Sequence, residues 1–126
     1  MPPSGGHRAK PRSKNVVCLL LGEVLVYKWL DRLSQDYRGE LWHFYTLSNG
    51  SFYMAPEQPA RFHLQVATNG FDSSMSADAA GIVATLFALG QLLETHGNDA
   101  LVDRYHLLHD YAFQHPEARL ILRAID

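Results

Sequence analysis

The spacing of apolar residues along the chain predicts an amphipathic helix near the start of the folded part. From about Gly22, apolar positions recur at steps of three and four residues, and Gly39 is placed to end the helix. Charged and polar residues occupy the opposite side, as in a helix with one buried face. The predicted buried stripe consists of Val26, Trp29, Leu30, Leu33 and Tyr37.

Beyond Gly39 the period changes to two, which predicts a β-hairpin. Asn49-Gly50 separates two aromatic runs, and it favours a two-residue type I′ turn, in which both central residues have positive φ. This turn pairs Leu47 with Phe52 and Tyr45 with Met54. One predicted face then carries Trp42, Phe44, Thr46, Tyr53 and Ala55, and the other carries His43, Tyr45, Leu47, Phe52 and Met54. Both faces are largely apolar, so either two layers cover the hairpin or one face is a recognition surface.

The next segments predict one more strand and a buried helix. Residues 61–67 alternate between apolar and polar side chains, which is typical of a strand with one wet face at or near an edge. Residues 68–74 are rich in Asn, Gly, Asp and Ser and predict a loop. Ser76 is a good N-cap for a helix over about residues 76–95, which lacks charged side chains between Asp78 and Glu94. A helix that is apolar all round is a central, buried one.

Two shorter helices are predicted after Gly97, which ends the buried helix. Asn98 or Asp99 caps the first of them, and His115-Pro116 begins the second, because proline suits the first helical position. Their predicted docking residues are Leu101, Tyr105, Leu108 and Ala112, followed by Leu120, Ile121 and Ile125. The resulting fold class is α+β, a small antiparallel sheet of three or four strands packed with about four helices.

Composition and charge restrict where this domain acts and what it binds. Residues 1–14 carry four basic residues and no acid, and we expect residues 1–21 to form a disordered basic leader before a single domain over 22–126. The rest of the chain is mildly acidic, which argues against a DNA-binding surface and falls short of a DNA mimic. The single cysteine, Cys18, fits a reducing compartment, so we expect a cytoplasmic protein. The apolar stretch 79–93 is short for a membrane span.

No arrangement of residues in the sequence identifies a catalytic site. His106 and His109 could share a metal with Asp110, but His106 is predicted to face solvent and no HExxH pattern accompanies the pair. The serines before the buried helix lack a G-x-S-x-G elbow, so capping and turn formation explain them. We assign no catalytic, cofactor or metal residues. The residues that we predict for an interaction surface are His43, Tyr45, Phe52, Asp72 and Ser73.

Two segments resemble the hallmark sequences of the KlcA/ArdB family of antirestriction proteins. They are LWHFYTLSNGSFYMAP at residues 41–56 and MSADAAGIV at residues 75–83. The segment from Tyr27 to Tyr37 and the chain's last twelve residues also fit, whereas residues 1–21 look unlike the family's usual entry into the first helix. The resemblance covers about residues 22–126 and implies an α+β fold with an antiparallel sheet.

The resemblance also implies a function. Such a protein relieves type I restriction in the cell and protects incoming plasmid or phage DNA, being neither an enzyme nor a DNA mimic. The implied partner is the host type I restriction-modification enzyme, reached directly or indirectly, and we expect a monomer that binds no DNA directly. Two alternatives remain open at this stage. One is a metal-dependent hydrolase using His106, His109 and Asp110, and the other is a small nucleic-acid-binding module using the basic tail and the aromatic hairpin.

Overall fold

A computed structural model describes residues 17–126 of the chain, with side chains from Gly22 onward. The described elements follow the order helix, four strands and three helices. They are α1 (Val17–Leu33), β1 (Trp42–Thr46), β2 (Phe52–Pro56), β3 (Arg61–Val66), β4 (Phe71–Ser76), α2 (Ala77–His96), α3 (Asp99–Phe113) and α4 (Ala118–Ile125). The predicted α+β class is confirmed. The strands, however, form two separate antiparallel pairs, β1–β2 and β3–β4, and not one sheet.

Helix α2 is the centre of the core, as its uncharged sequence predicts. Twelve of its twenty residues are buried, and it packs against α1, β2, α3 and α4. By length and composition α2 could also cross a membrane, but most of that stretch is buried inside the domain. Ser76 caps its first turn by accepting a hydrogen bond from the Ala79 amide, and Gly97 ends it at φ 33°.

Gly81 allows α2 to approach β2 at contact distance. A Cβ atom at this position would lie 2.2 Å from the carbonyl oxygen of Met54 and 2.5 Å from the Cα of Ala55. One turn later, the Thr85 hydroxyl accepts a hydrogen bond from the Met54 amide at 3.2 Å. The helix therefore packs against the backbone edge of the first hairpin, which only a residue without a side chain permits.

The first helix differs from its predicted bounds at both ends. It begins at Val17, before the expected start near Gly22, and it ends at Leu33, before Gly39. The predicted disordered leader falls mostly outside the described residues. The early end has a local cause, because the Ser34 hydroxyl accepts a hydrogen bond from the Asp36 amide and turns the chain away from the helix. Val26, Leu30 and Leu33 are buried as predicted.

The predicted register of the β1–β2 hairpin is wrong by one residue. Tyr45 pairs with Tyr53 and Thr46 pairs with Phe52, so Phe52 lies on the face of Phe44 and Tyr53 on the face of Tyr45. Gly50 has a φ of 100°, whereas no described residue other than glycine has a positive φ. The loop is therefore a type I turn followed by a left-handed glycine, a three-residue connection in place of the expected type I′ turn.

The segment predicted as a loop before α2 is mostly a strand. Phe71–Ser76 forms β4 and pairs with β3 from Val66↔Phe71 to Arg61↔Ser76. Gly70, at φ 75°, makes the turn between the two strands. The predicted alternation of β3 is confirmed, because Phe62, Leu64 and Val66 are buried while the residues between them are exposed.

The last two helices close the core from the C-terminal side. The Asn98 side chain caps α3 by accepting from the Leu101 amide, as predicted. The deeply buried residues of α3 are Leu108, Tyr111 and Ala112, while Leu101 and Tyr105 are only partly buried. Helix α4 begins at Ala118, two residues after the proline that was expected to start it, and it buries Ile121 and Ala124.

Candidate interaction surface

The outward side of the β3–β4 hairpin gathers polar side chains on one flat surface. Strand alternation points every second residue away from the core, and the antiparallel register brings the outward residues of both strands together. We call this surface the polar face. It consists of Arg61, His63, Gln65, Asp72 and Ser74.

Hydrogen bonds join three strand residues through the imidazole of His63. Its Nε2 bonds to the carboxylate of Asp72, and its Nδ1 lies 3.3 Å from the Ser74 hydroxyl. Gln65 donates to the second carboxylate oxygen of Asp72 at 3.3 Å. The bond from Gln65, followed by the bond from His63, holds the pKa of Asp72 below its usual range. Asp72 therefore stays ionised at neutral pH beside a histidine.

The chemistry that this cluster can perform is limited by its exposure. Serine, histidine and aspartate are the residues of hydrolase triads, but here the side chains of His63 and Asp72 are 49% and 56% exposed. Water competes for every bond at such a surface, and no developing charge is shielded from it. The arrangement suits recognition of another polar surface better than bond cleavage.

Neighbouring residues hold the polar face in place. The Asp36 carboxylate accepts a hydrogen bond from the His63 amide at 2.8 Å, which ties the strand to the segment after α1. Arg61 donates through its guanidinium to the Ser74 carbonyl oxygen at 3.1 Å. These two contacts tie the backbone of β3 to the segment after α1 and hold the Arg61 guanidinium against β4.

The structure does not bring the five predicted interaction residues together. Asp72 lies on the polar face, but Ser73 pairs with Leu64 on the opposite face of the same hairpin. His43 and Tyr45 share one face of the first hairpin, where His43 contacts Glu57 at 2.8 Å. Phe52 is on the other face and stacks on the ring of Phe44.

Sequence reasoning found half of the polar face and missed the other half. The alternation of residues 61–67 identified Arg61, His63 and Gln65 as outward. Their partners Asp72 and Ser74 fall in the segment 68–74 that the sequence predicts as a loop, so the sequence does not predict the hydrogen-bonded cluster. The missed signal is Asn69-Gly70, the same turn dipeptide as Asn49-Gly50, directly after the alternating residues of β3.

The histidines of α3 do not converge on a metal-binding arrangement. His106 is exposed, and the ring of His109 packs against Tyr105 and Phe113 with centroids 6.2 Å and 5.2 Å away. Among residues 17–126, no three His, Cys, Asp or Glu side chains are grouped so that they could hold a metal ion. The aromatic contacts give His109 a packing role.

A second polar cluster lies partly buried at the start of α2 and joins several elements of the fold. Asp78 accepts from the Tyr53 hydroxyl at 2.7 Å and contacts His115 Nε2 at 2.8 Å. The Glu117 amide donates to His115 Nδ1, so the ring proton lies on Nε2 and points at Asp78. Glu117 in turn accepts from the Ser76 amide at 3.0 Å. The cluster joins the first hairpin, β4, α2 and the start of α4.

Comparison with known proteins gives one consistent family. A family model described as "Antirestriction protein" matches residues 35–126. An antirestriction protein KlcA from Escherichia coli is 56% identical over 112 residues, which are 86% of this chain and 79% of the relative. An uncharacterized protein YafX from Escherichia coli K12 is 44% identical over 109 residues, covering 85% of this chain and 72% of the relative.

A solved structure supports the same assignment. It is 55% identical in sequence, has a TM-score of 0.79, and covers 86% of this chain and 79% of the solved chain. The solved proteins are KlcA and ArdB, which show a novel fold and antirestriction activity against type I DNA restriction systems in vivo but not in vitro. The family expected from the hairpin and helix motifs is confirmed. The chain belongs to the antirestriction protein family, with KlcA proteins among its relatives.

Proposed function

We propose that this protein relieves type I restriction in the bacterial cytoplasm and so protects incoming plasmid or phage DNA. The observation that carries the proposal is the likeness to the solved KlcA/ArdB structure, which is 55% identical over 86% of the chain. Those proteins act against type I systems in vivo but not in vitro. We infer the function from the family, because relief of restriction by binding does not require a catalytic site.

The mode of action that we propose is binding, not chemistry. The polar face offers fixed donors and acceptors of both charges on an exposed surface, as the polar rim of a protein–protein contact does. Its charges are mixed, with Arg61 near one end and Asp72 near the other, and so differ from the continuous basic stripe that binds DNA. Its partner is the type I enzyme or a cellular component that acts on that enzyme.

A plating assay tests the proposed function. Cells that carry a type I restriction system and express this protein are challenged with unmodified phage. The efficiency of plating should rise, while modified phage and a strain without the restriction system should show no change. Unchanged plating of unmodified phage, with the protein soluble and abundant, would refute the proposal. A rise that also occurred without the restriction system would refute it equally.

A pair of matched variants tests the proposed surface. His63→Ala combined with Asp72→Ala removes the charged centre of the polar face without touching the core, so the protein should fold normally. Restriction relief should fall by at least about tenfold, equivalent to the loss of roughly 1.4 kcal/mol of binding. The control is His106→Ala combined with Asp103→Ala, an exposed histidine and acid on α3. Equal activity of the two variants would exclude the polar face as the contact.

A further inference from the structure

An Asn-Gly dipeptide lies at the turn of each hairpin, Asn49-Gly50 in the first and Asn69-Gly70 in the second. In such a pair the backbone nitrogen of the glycine can attack the side-chain carbonyl carbon of the asparagine, because glycine has no Cβ to crowd the approach. The product is a cyclic imide, which water opens to an acid. The dipeptides that form the two turns are therefore also two candidate sites of deamidation.

The folded state engages the reacting groups of both turns in hydrogen bonds. The Gly50 amide donates to the Leu47 carbonyl oxygen at 3.0 Å. The Gly70 amide donates to the Val66 carbonyl oxygen at 2.9 Å. In both turns the asparagine NH₂ group, which would leave as ammonia, donates to a helix carbonyl oxygen. The reaction therefore requires local opening, and the turn that opens at the lower free energy reacts first.

The turn at Asn49 is packed against α3. Asn49 is partly buried and donates to the Leu107 carbonyl oxygen at 2.9 Å. Ser51 is only 2% exposed, and its hydroxyl donates to the Arg104 carbonyl oxygen at 2.7 Å. Helix α3 is fifteen residues long and is capped by Asn98. Opening this turn breaks two side-chain bonds to a long helix and exposes a buried serine.

The turn at Asn69 is more exposed and is attached to a shorter helix. Residues 67–70 are all exposed. The Asn69 side chain donates to the Ala124 carbonyl oxygen at 3.0 Å and lies 3.4 Å from the Arg123 carbonyl oxygen. Helix α4, which carries both acceptors, has eight residues. This turn should open at a lower free energy than the first, because less of it is buried.

We propose that Asn69 is a site of spontaneous deamidation and that its conversion releases α4. The Gly70 nitrogen, after losing its proton to water, bonds to the Cγ of Asn69, the Cγ–Nδ2 bond breaks, and ammonia leaves. Water then cleaves the imide. Cleavage at Cγ gives aspartate, whereas cleavage at the backbone carbonyl carbon gives isoaspartate, in which the main chain runs through Cγ. The net reaction consumes water and releases ammonia, with no change of oxidation state.

Both products lack the donor that ties the second turn to α4. An ionised carboxylate only accepts hydrogen bonds, so it would face the carbonyl oxygens of Arg123 and Ala124 with no proton between them. These acceptors repel each other, and the end of α4 moves away from the turn. Ile121 and Ala124, which are fully buried, then lose contacts with the core. Deamidation thus limits the time for which each molecule stays fully packed.

Peptide mapping by mass spectrometry over a time course tests the site. Trypsin places Asn49 and Asn69 on separate peptides, residues 39–61 and 62–104. In folded protein at mildly alkaline pH, Asn69 should convert at least about tenfold faster than Asn49, which corresponds to roughly 1.4 kcal/mol in opening free energy. In protein unfolded in urea, the two should convert at similar rates.

Two outcomes of the mapping would overturn the proposal. One is that Asn69 of the folded protein stays intact throughout a time course in which the unfolded protein converts fully. The other is that Asn69 of the folded protein converts no faster than Asn49.

Hydrogen exchange tests the release of α4 separately. Asn69→Asp carries the side chain of one product, and Asn69→Ala is its control, because it removes the donor without adding a charge. The amides of residues 121–126 should exchange at least about tenfold faster in Asn69→Asp than in wild type, with Asn69→Ala between them, while the amides of α1 exchange at unchanged rates. Wild-type protein enriched in the deamidated form by anion exchange gives the same comparison if the variant does not fold. Exchange in α4 at the wild-type rate would refute its release.

Discussion

The two hairpins share one turn and differ in how they pack. In both, an Asn-Gly dipeptide makes the turn, at Asn49-Gly50 and at Asn69-Gly70. Each asparagine accepts a hydrogen bond from the amide two residues later, and each donates to a helix carbonyl oxygen. Asn49 reaches Leu107 in α3 at 2.9 Å, and Asn69 reaches Ala124 in α4 at 3.0 Å. Both turns are thus tethered to the C-terminal helices.

Beyond the turns, the two hairpins pack against the core in different ways. The first, β1–β2, places aromatic residues on both faces and packs its β2 edge against α2 at Gly81. The second, β3–β4, lays one apolar face on the core and exposes the polar face. The comparison teaches that turn chemistry fixes where a hairpin forms, while the side-chain pattern of its strands decides whether a face or an edge is buried.

The largest expected effect is at the edge contact of the first hairpin. Gly81→Ala would place a methyl group inside the Met54–Ala55 backbone, so β2 and α2 must separate. We expect the free energy of unfolding to fall by about 3 kcal/mol. Gly90→Ala is the control, because its Cβ meets only the Tyr105 ring at 3.8 Å. Alanine's higher helix propensity should leave that variant as stable as wild type or up to about 1 kcal/mol more stable.

Urea unfolding of both variants measures this difference. Equal stability of Gly81→Ala and Gly90→Ala would show that β2 and α2 can move apart without loss, and the edge-on packing of the first hairpin would then be wrong.

The next effect compares a partly buried carboxylate with an exposed one. Asp78→Ala leaves the Tyr53 hydroxyl and the His115 ring without their acceptor, and we expect a loss of about 2–3 kcal/mol. Asp72→Ala removes an exposed acid from the polar face, and the free energy of unfolding should change little. Thermal unfolding at pH 7 measures both. A loss from Asp72→Ala as large as that from Asp78→Ala would contradict the division between a structural and a recognition cluster.

The two turns should respond in the same direction but unequally. Asn49→Ala and Asn69→Ala each remove a bond to a helix carbonyl and a bond from a hairpin amide. Asn49 is partly buried, so we expect a loss of about 1.5 kcal/mol there and about 1 kcal/mol or less at the exposed Asn69. Chemical denaturation measures the two unfolding free energies. A greater loss at Asn69 would contradict the expectation that the partly buried Asn49 stabilises the fold more.

The smallest effect is a titration on the polar face. The pKa of Asp72 should lie below its usual 3.8, chiefly because Gln65 and then His63 bond to the carboxylate. A depressed pKa stabilises the folded state at neutral pH, and this contribution is lost as the pH falls below 3.8 through the lowered value. Carboxyl chemical shifts in an NMR titration should show the pKa rising in Gln65→Ala. An unchanged pKa would remove Gln65 from the cluster.

The sequence predicts best where one pattern has a single structural outcome. A helix with no charged side chain between Asp78 and Glu94 is the central helix of a folded domain, and Ser76 and Gly97 mark its ends by capping chemistry. The strict alternation of β3 likewise leaves no choice of face. These features are local, since each depends on residues within a few positions of one another.

The parts that sequence missed depend on distant residues. Asn-Gly suits both a type I′ turn and a type I turn with a left-handed glycine. The second turn forms here, and in it Asn49 donates a hydrogen bond to Leu107, 58 residues away. The strand character of β4 is weak because Ser73 occupies an inward position. The polar face could not be assembled from sequence, because it requires both strands and their register.

The position of α2 in the chain has a consequence for synthesis. Its partners α3 and α4 follow it, and Ile121 and Ala124, within six residues of the C-terminus, are fully buried. A ribosome adds residues in order, so the most apolar segment leaves the exit tunnel before the helices that cover it do. Chaperones that bind exposed apolar helices can bind α2 before α3 and α4 pack on it. A stop codon before residue 118 would remove α4 and leave part of α2 uncovered.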